Sequence, residues 1–237
     1  MERLAKRLRA VVDDAVVTLY RQYRPDIAML RAILNPTARP LFSRRFGANG
    51  NAMLERVWKR AGERWATLPR QSGLGAAITV RLAAITAAAY ETFVAEGADR
   101  EEATITVYDI AWAVYRKMGG VAWALGAIAG KRNADRMGFA TVAFRMFPFS
   151  PPSYEWKDIP SPQGASDSTA SSVPLPTTLR RSSSPSSAYG RGARLIFPLA
   201  RDVWHARLER SGSIAGGQSH CDFRWNAEPD VVPADMP

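Results

Sequence analysis

A chain of 237 residues with 46% hydrophobic side chains is long enough to bury a full core, as one large domain or one domain with a helical extension. Its single cysteine, Cys221, excludes an internal disulfide framework, and two histidines without HxxxH or CxxC spacing give metal binding little support. The formal charge of +10 would ordinarily point to nucleic acid, but Arg180, Arg181, Arg191 and Arg194 against Asp167 place three of those charges in one anomalous stretch, so no nucleic acid partner is favoured.

The N-terminus "MERLAKRLRA" is charged and periodic rather than a basic head before an apolar run, which predicts a cytoplasmic protein. The run "VAWALGAIAG" is about half of a bilayer crossing, and Arg81 interrupts the alanine-rich stretch before it, so no membrane span is expected.

Leu4, Leu8, Val11, Val12, Ala15, Val16 and Leu19 recur at helical spacing and predict an amphipathic helix over 2–22, with Arg3, Lys6, Arg7 and Arg9 on its solvated side. A short helix over 26–34 and another over 52–67 follow, separated by the turn-rich "NPTARPLFSRRFGANGN". Ile78, Leu82, Ile85, Ala89 and Phe93 mark a longer helix that stops at Gly97. Asp99 and Glu102 have the spacing of an N-cap and its reciprocal partner. The helix they open carries the stripe Val107, Ile110, Ala111, Val114 and Met118, and Gly119-Gly120 is expected to end it. Its Tyr108, Asp109 and Tyr115 read as boundary residues rather than a pocket lining.

From Thr141 the texture changes to "TVAFRMFPFSPPSYEWKDIPSPQG", which predicts a strand and an irregular loop. Then comes "SDSTASSVPLPTTLRRSSSPSS", with nine serines and three prolines, where apolar periodicity is lost and an irregular or disordered segment is expected over 165–194. Pro198, Leu199, Val203, Ala206 and Leu208 predict a helix that stops at Gly212, and "AGGQ" a tight turn into a strand over 219–225. On that strand Cys221, Phe223 and Trp225 share one side, and His220, Asp222 and Arg224 the other. The fold expected is α+β: N-terminal helices over 1–70, a domain over 71–225 with a small, mostly antiparallel sheet and packed helices, and a tail over 226–237.

Three segments, "TITVYDIAWAVYRKMGG", "FPFSPPSYEWKDIPSPQG" and "LERSGSIAGGQSHCDFRW", resemble the L-2-amino-thiazoline-4-carboxylic acid hydrolase family of bacteria. The resemblance spans roughly 68–164 and 197–225 and is most specific in the aromatic-proline segment and the terminal "CDFRW". Between those blocks the family pattern has a strand and helix like "FDxxxCPVADYF" and then "ELCxxTWCxxDF"; this chain has neither. A shifted reading frame accounts for the gap. Codons that take the last base of one residue and the first two of the next permit "FRFDGVVCPVADYFA" over 165–180, then "ELCVRTWC", after which the present frame resumes as "FPLAR". The alternative is a flexible Ser/Pro linker, but the piece after it is too small to stand as a domain alone.

The resemblance implies a small-molecule hydrolase in which water adds to C2 of a cyclic isothiourea and the ring sulfur leaves, giving an N-carbamoyl-cysteine. Such chemistry needs a base, a donor for the substrate carboxylate and stabilisation of the departing thiolate. Asp222, His220 and Cys221 are the catalytic candidates, Cys221 as nucleophile or as a packed core thiol; Arg224, Tyr154 and Trp156 are the candidates for substrate binding, with a pocket expected near the polar face of the last strand and the aromatic loop. No cofactor is identified: "GLG" at 73–75 lacks both a further glycine and a preceding strand, which argues against a nucleotide, and a metal is left open. The other reading is a non-catalytic ligand-binding or regulatory α+β domain.

Overall fold

The computed structural model describes residues 26–68, 71, 74–146, 149, 154–159, 165–172, 195–212 and 218–230. The helix expected over 2–22 and the "AGGQ" turn lie outside them. The fold is α+β. Five helices come first: α1 (Ile27–Phe46), α2 (Gly50–Ala66), α3 (Leu74–Ala95), α4 (Arg100–Leu125) and α5 (Asn133–Met146). Strands β1 (Tyr154–Ile159) and β2 (Ala165–Ser172), helix α6 (Ile196–Val203), and strands β3 (Ala206–Glu209) and β4 (Cys221–Ala227) follow. The sheet is antiparallel throughout, in the order β1-β2-β4-β3.

Asp26 caps α1 by accepting the Met29 N–H at 2.7 Å, and Asp99 caps α4 by accepting from Glu101 and Glu102, both at 2.8 Å. α1 does not stop at Leu34 as expected. It runs through Pro36 and Pro40, which sit four residues apart on its exposed side, while Ala38 and Phe42 are buried on the other. Burial of that inner side outweighs the two missing N–H donors. The Phe42 ring lies 5.8 Å from Phe93, and Trp58 Nε1 donates to Asn35 at 2.9 Å, so α1, α2 and α3 close around one apolar cluster with Met53, Leu54, Val57 and Val107. α3 is long and apolar enough to cross a membrane by length and composition, and it buries Ala77, Ala84, Ala88 and Phe93 within this protein.

A second cluster joins α5, α6, β3 and β4 through Met137, Ala140, Leu199, Trp204, Leu208, Phe223 and Trp225. α4 serves both: Val107 and Ile110 belong to the first, Trp112, Tyr115 and Trp123 to the second. Gly119-Gly120 does not end α4, which continues to Leu125. Gly119 is instead a contact point. A Cβ there would overlap Leu199 Cδ1, and its carbonyl accepts Trp204 Nε1–H at 3.1 Å. The glycine lets α6 and the chain beyond it approach the α4 backbone.

Four further expectations change. α5 extends over Thr141–Met146, read from sequence as strand and loop, because Met137, Ala140 and Thr141 are buried on one helical side and Phe144 packs beside them. The helix after Pro198 ends at Val203; Ala206 and Leu208 are buried on strand β3, with exposed Arg207 between them, so their spacing is a strand's period of two. Ala165–Ser172, expected to be irregular, is a strand between β1 and β4, satisfying backbone groups on both sides; 173–194 lies outside the described residues. β4 also includes Asn226 and Ala227, expected in the tail.

The two adjacent glycines of α4 should respond in opposite senses. Gly119→Val displaces Leu199 and Trp204 and should lower stability by about 1–3 kcal/mol, whereas a Cβ at Gly120 meets nothing within 4 Å. Gly120→Ala should therefore raise stability by about 0.5–1 kcal/mol. Denaturant midpoints check both; equal responses would remove the close approach as the reason for Gly119.

Candidate functional site

Alternation along β4 divides the candidate residues. Cys221, Phe223 and Trp225 face the helices, and by register Trp156 on β1 lies in the same row as Ala170 and Cys221, so Trp156 and Tyr154 share that covered face. Asp222 and Arg224 occupy the opposite face, and His220 is exposed just before the strand. The expected pocket between the polar face and the aromatic residues is thus not assembled: the sheet itself separates Asp222 and Arg224 from Tyr154 and Trp156.

On the covered face the rings are committed to packing. Trp156 Nε1 donates to the Phe149 carbonyl at 2.7 Å, its ring lies 5.6 Å from Phe223, and the Arg145 guanidinium carbon stands 5.1 Å from its centroid. The Tyr154 ring meets Phe149 edge-on at 5.1 Å. Trp156 and Phe223 reach each other across β2, whose residues in those rows are Ala170 and Ser168.

Cys221 has a cation beside it. Arg210, just past β3, points Nη2 at Cys221 Sγ at 2.8 Å, and its guanidinium carbon is 4.9 Å from the Phe223 centroid. Arg210 Nε donates to the Gly212 carbonyl at 3.2 Å. Sequence reading missed Arg210 because it placed the residue at a helix end. Recognising Ala206 and Leu208 as a strand before a Gly-rich connection would have put Arg210 beside the start of β4.

Asp222 holds the bend that presents Arg210. Its Oδ2 accepts the Ser211 N–H at 2.8 Å and the Ser211 hydroxyl at 2.7 Å, its Oδ1 accepts the Gly212 N–H, and its own N–H donates to the Gly212 carbonyl at 3.4 Å. Partial burial acts to raise the Asp222 carboxyl, but the donors of Ser211 and Gly212 together outweigh it and hold the group below its ordinary value. A carboxylate so engaged is a weaker base than a free one, and its oxygens are committed to the bend. His220 Nδ1 lies 3.1 Å from Ser219 Oγ, and Arg224 is paired by register with Glu209 on β3.

Among the described residues no three His, Cys, Asp or Glu side chains gather as a metal-ligand group. An open groove elsewhere, between α2 and α3, is lined by Arg60, Glu63, Arg64, Thr67 and Glu91, with Arg64 and Glu91 ion-paired to each other. No protein-family model matches the chain, and no curated protein matches it.

The Asp222 network has a signed pH dependence. Because its folded carboxyl is held low, the stability it contributes is complete above the unfolded value of about 3.9 and is lost as pH falls through the lower folded value. Asp222→Asn, which turns an amide donor toward N–H groups, should cost about 1–2 kcal/mol at neutral pH and flatten the acid limb of a stability-against-pH profile. An unchanged acid limb would show that this carboxylate does not fasten the bend.

Proposed function

We propose that this chain derives from the L-2-amino-thiazoline-4-carboxylic acid hydrolase family, read out of frame over about 165–196, and that the in-frame protein opens the ring of that substrate or a related cyclic isothiourea. The observation that carries the reading is β2. A strand stands between β1 and β4 at the place in the chain where the resembled pattern has "FDxxxCPVADYF". The strand sequence ASDSTASS has no large apolar residue to offer the covered face, whereas the shifted codons permit "FRFDGVVCPVADYFA" from the same starting residue. The Asp222 network adds support, since it gives the two ends of "LERSGSIAGGQSHCDFRW" a physical reason to occur together: Ser211 and Gly212 are the donors, Asp222 the acceptor.

In the reaction, water adds to C2, the C2–S bond breaks, and the sulfur leaves as a thiolate that takes a proton, giving N-carbamoyl-cysteine. Cys221, on the covered face beside Arg210, is the candidate nucleophile: its sulfur would add to C2 as the ring sulfur leaves, and water would then displace the Cys221 sulfur, for the same net addition of one water; Arg210 supplies positive charge for the substrate carboxylate or the departing sulfur. Asp222 positions Arg210 through the bend. A small molecule is the partner on this reading. The split of the remaining candidates over two sheet faces favours the second reading, a non-catalytic ligand-binding domain, for the polypeptide as it stands.

Thiol release from L-2-amino-thiazoline-4-carboxylate, followed with a disulfide reagent, separates these. The frame-restored chain should release thiol, its Cys221→Ala variant should not, and the present chain should be inactive. A well-folded restored chain without activity, or codons that permit "CPVADYF" in no frame, would overturn the hydrolase reading.

A further inference from the structure

We propose that the C-terminal half of α4 docks on an anionic lipid surface, lying in the plane of that surface with an exposed apolar stripe buried at the acyl boundary and basic residues at the border of the stripe set against the headgroups. The stripe begins inside the first cluster. Val107 and Ile110 are packed there, and steps of three and four residues continue the same side of the helix through Val114, Met118, Val121 and Leu125 to Ile128 in the 3-10 turn after it. Beyond Val114 this side emerges: Met118, Val121, Leu125 and Ile128 are 40%, 56%, 48% and 82% exposed. Single exposed apolar residues are ordinary, but four in helical register form a contiguous stripe, about 15 Å long. α1 widens it. Thr37 accepts from Lys117 Nζ at 3.5 Å, and Arg45 near the end of α1 pairs with Glu102 in the first turn of α4, so the two helices run antiparallel and exposed Met29 and Ile33 lie toward the same end of α4 as the stripe.

Charge selects the occupant. From Ile110 to Ala134 the sequence has Arg116, Lys117, Lys131 and Arg132 and no acidic residue. Lys117 flanks the start of the stripe, Lys131 and Arg132 follow its end, and all three are exposed. Two acids stand at that end and both are engaged: Asp135 pairs with Arg132 at 2.9 Å, and Asp230 accepts the Asn133 N–H at 2.6 Å. A second copy would bring the same basic ends, cation against cation. Protein partners favour aromatic anchors and disfavour lysine, and this stripe has no aromatic side chain and forms a ridge rather than a groove. Aliphatic side chains along one side of a helix with lysine and arginine at the border are the pattern by which helices bind at the headgroup boundary, and a lipid surface conforms to a ridge. The helix lies on that surface and does not cross it, since Trp112, Tyr115 and Trp123 of α4 pack against the second cluster. The inference is independent of the hydrolase reading, because no residue of the stripe belongs to the candidate site or to 165–196.

The test uses the full chain with vesicles of phosphatidylcholine alone and with vesicles of equal parts phosphatidylcholine and phosphatidylglycerol. Flotation should recover the protein with the second and not with the first. Val121→Glu combined with Ile128→Glu, both at positions more than half exposed, should weaken binding by about tenfold or more. Lys117→Glu combined with Lys131→Glu should weaken it by about fivefold or more; denaturant midpoints equal to the parent's verify that both variants fold. A nitrobenzoxadiazole label on Cys221→Ser chains separates this surface from basic residues elsewhere: at Ile128→Cys its emission should shift to the blue on the anionic vesicles, and at Arg207→Cys, exposed on β3, it should not. Absence from both vesicles, equal binding to both, undiminished binding of the Val121→Glu, Ile128→Glu chain, or an unshifted label at 128 would overturn the proposal. So would a label at 128 that shifts when the protein is concentrated without vesicles, which would make a second copy the occupant.

Discussion

Where α6 turns into β3, Trp204 reaches back to α4, and the rest of the C-terminal half hangs on that seat. The indole is almost wholly buried, its N–H is satisfied by the Gly119 carbonyl, and its ring meets Trp225 at 5.1 Å and Phe144 at 6.0 Å. A buried indole N–H without an acceptor would cost about 1–3 kcal/mol, so the bond selects one height of Trp204 along α4. Leu199, one turn earlier, fills the space that the missing side chain of Gly119 leaves. Through Trp225 the same seat fixes β4, and through β4 it fixes the partners on either side. α4 thus carries the helical cluster on its first half and the sheet on its second.

The sheet is the less evenly furnished half. β4 brings Phe223 and Trp225, β3 brings Ala206 and Leu208, and β1 brings Trp156, all toward the helices. Between β1 and β4 stands a strand whose sequence is alanine, serine, aspartate and threonine alone. Its backbone pairs on both sides, which makes it a central strand by hydrogen bonding, while its composition is that of an exposed loop. Central strands ordinarily bring branched or aromatic side chains to the core. The conflict between position and composition falls inside the stretch that departs from the resembled pattern, and nowhere else among the described strands.

Local signals were legible where local physics decided. The Asp99 cap, the helix marked by Ile78 to Phe93, and the alternation of Cys221, Phe223 and Trp225 against Asp222 and Arg224 all read correctly, because each depends on near neighbours in sequence. What failed depended on partners far along the chain. Pro36 and Pro40 look like a helix stop until Phe42 is seen to meet Phe93; Gly119 looks like a terminator until Leu199 arrives, 80 positions later. Thr141–Met146 has strand-like residues, and its helix rests on the sheet it packs against. Ala206 and Leu208 fitted either period, and only pairing with β4 separates the two. Of the candidate site, the residue types were legible but their convergence was not, because faces of a sheet are assigned by register and the register of β1 against β4 passes through β2.

Asp222 shows how that affects a chemical reading. In sequence it is an acid beside a histidine and a cysteine, the setting in which a general base is sought. In the fold its oxygens accept three donors from Ser211 and Gly212, which lowers its basicity and ties down the connection between β3 and β4. The consequence is transferred rather than lost. By fixing Gly212, the carboxylate fixes the carbonyl that accepts Arg210 Nε, and Arg210 in turn sets its Nη2 against the Cys221 sulfur. An acid on the open face thereby places a guanidinium against a thiol on the covered one, and the residue that connects them, Arg210, lies beyond the end of β3, where no facing rule applies.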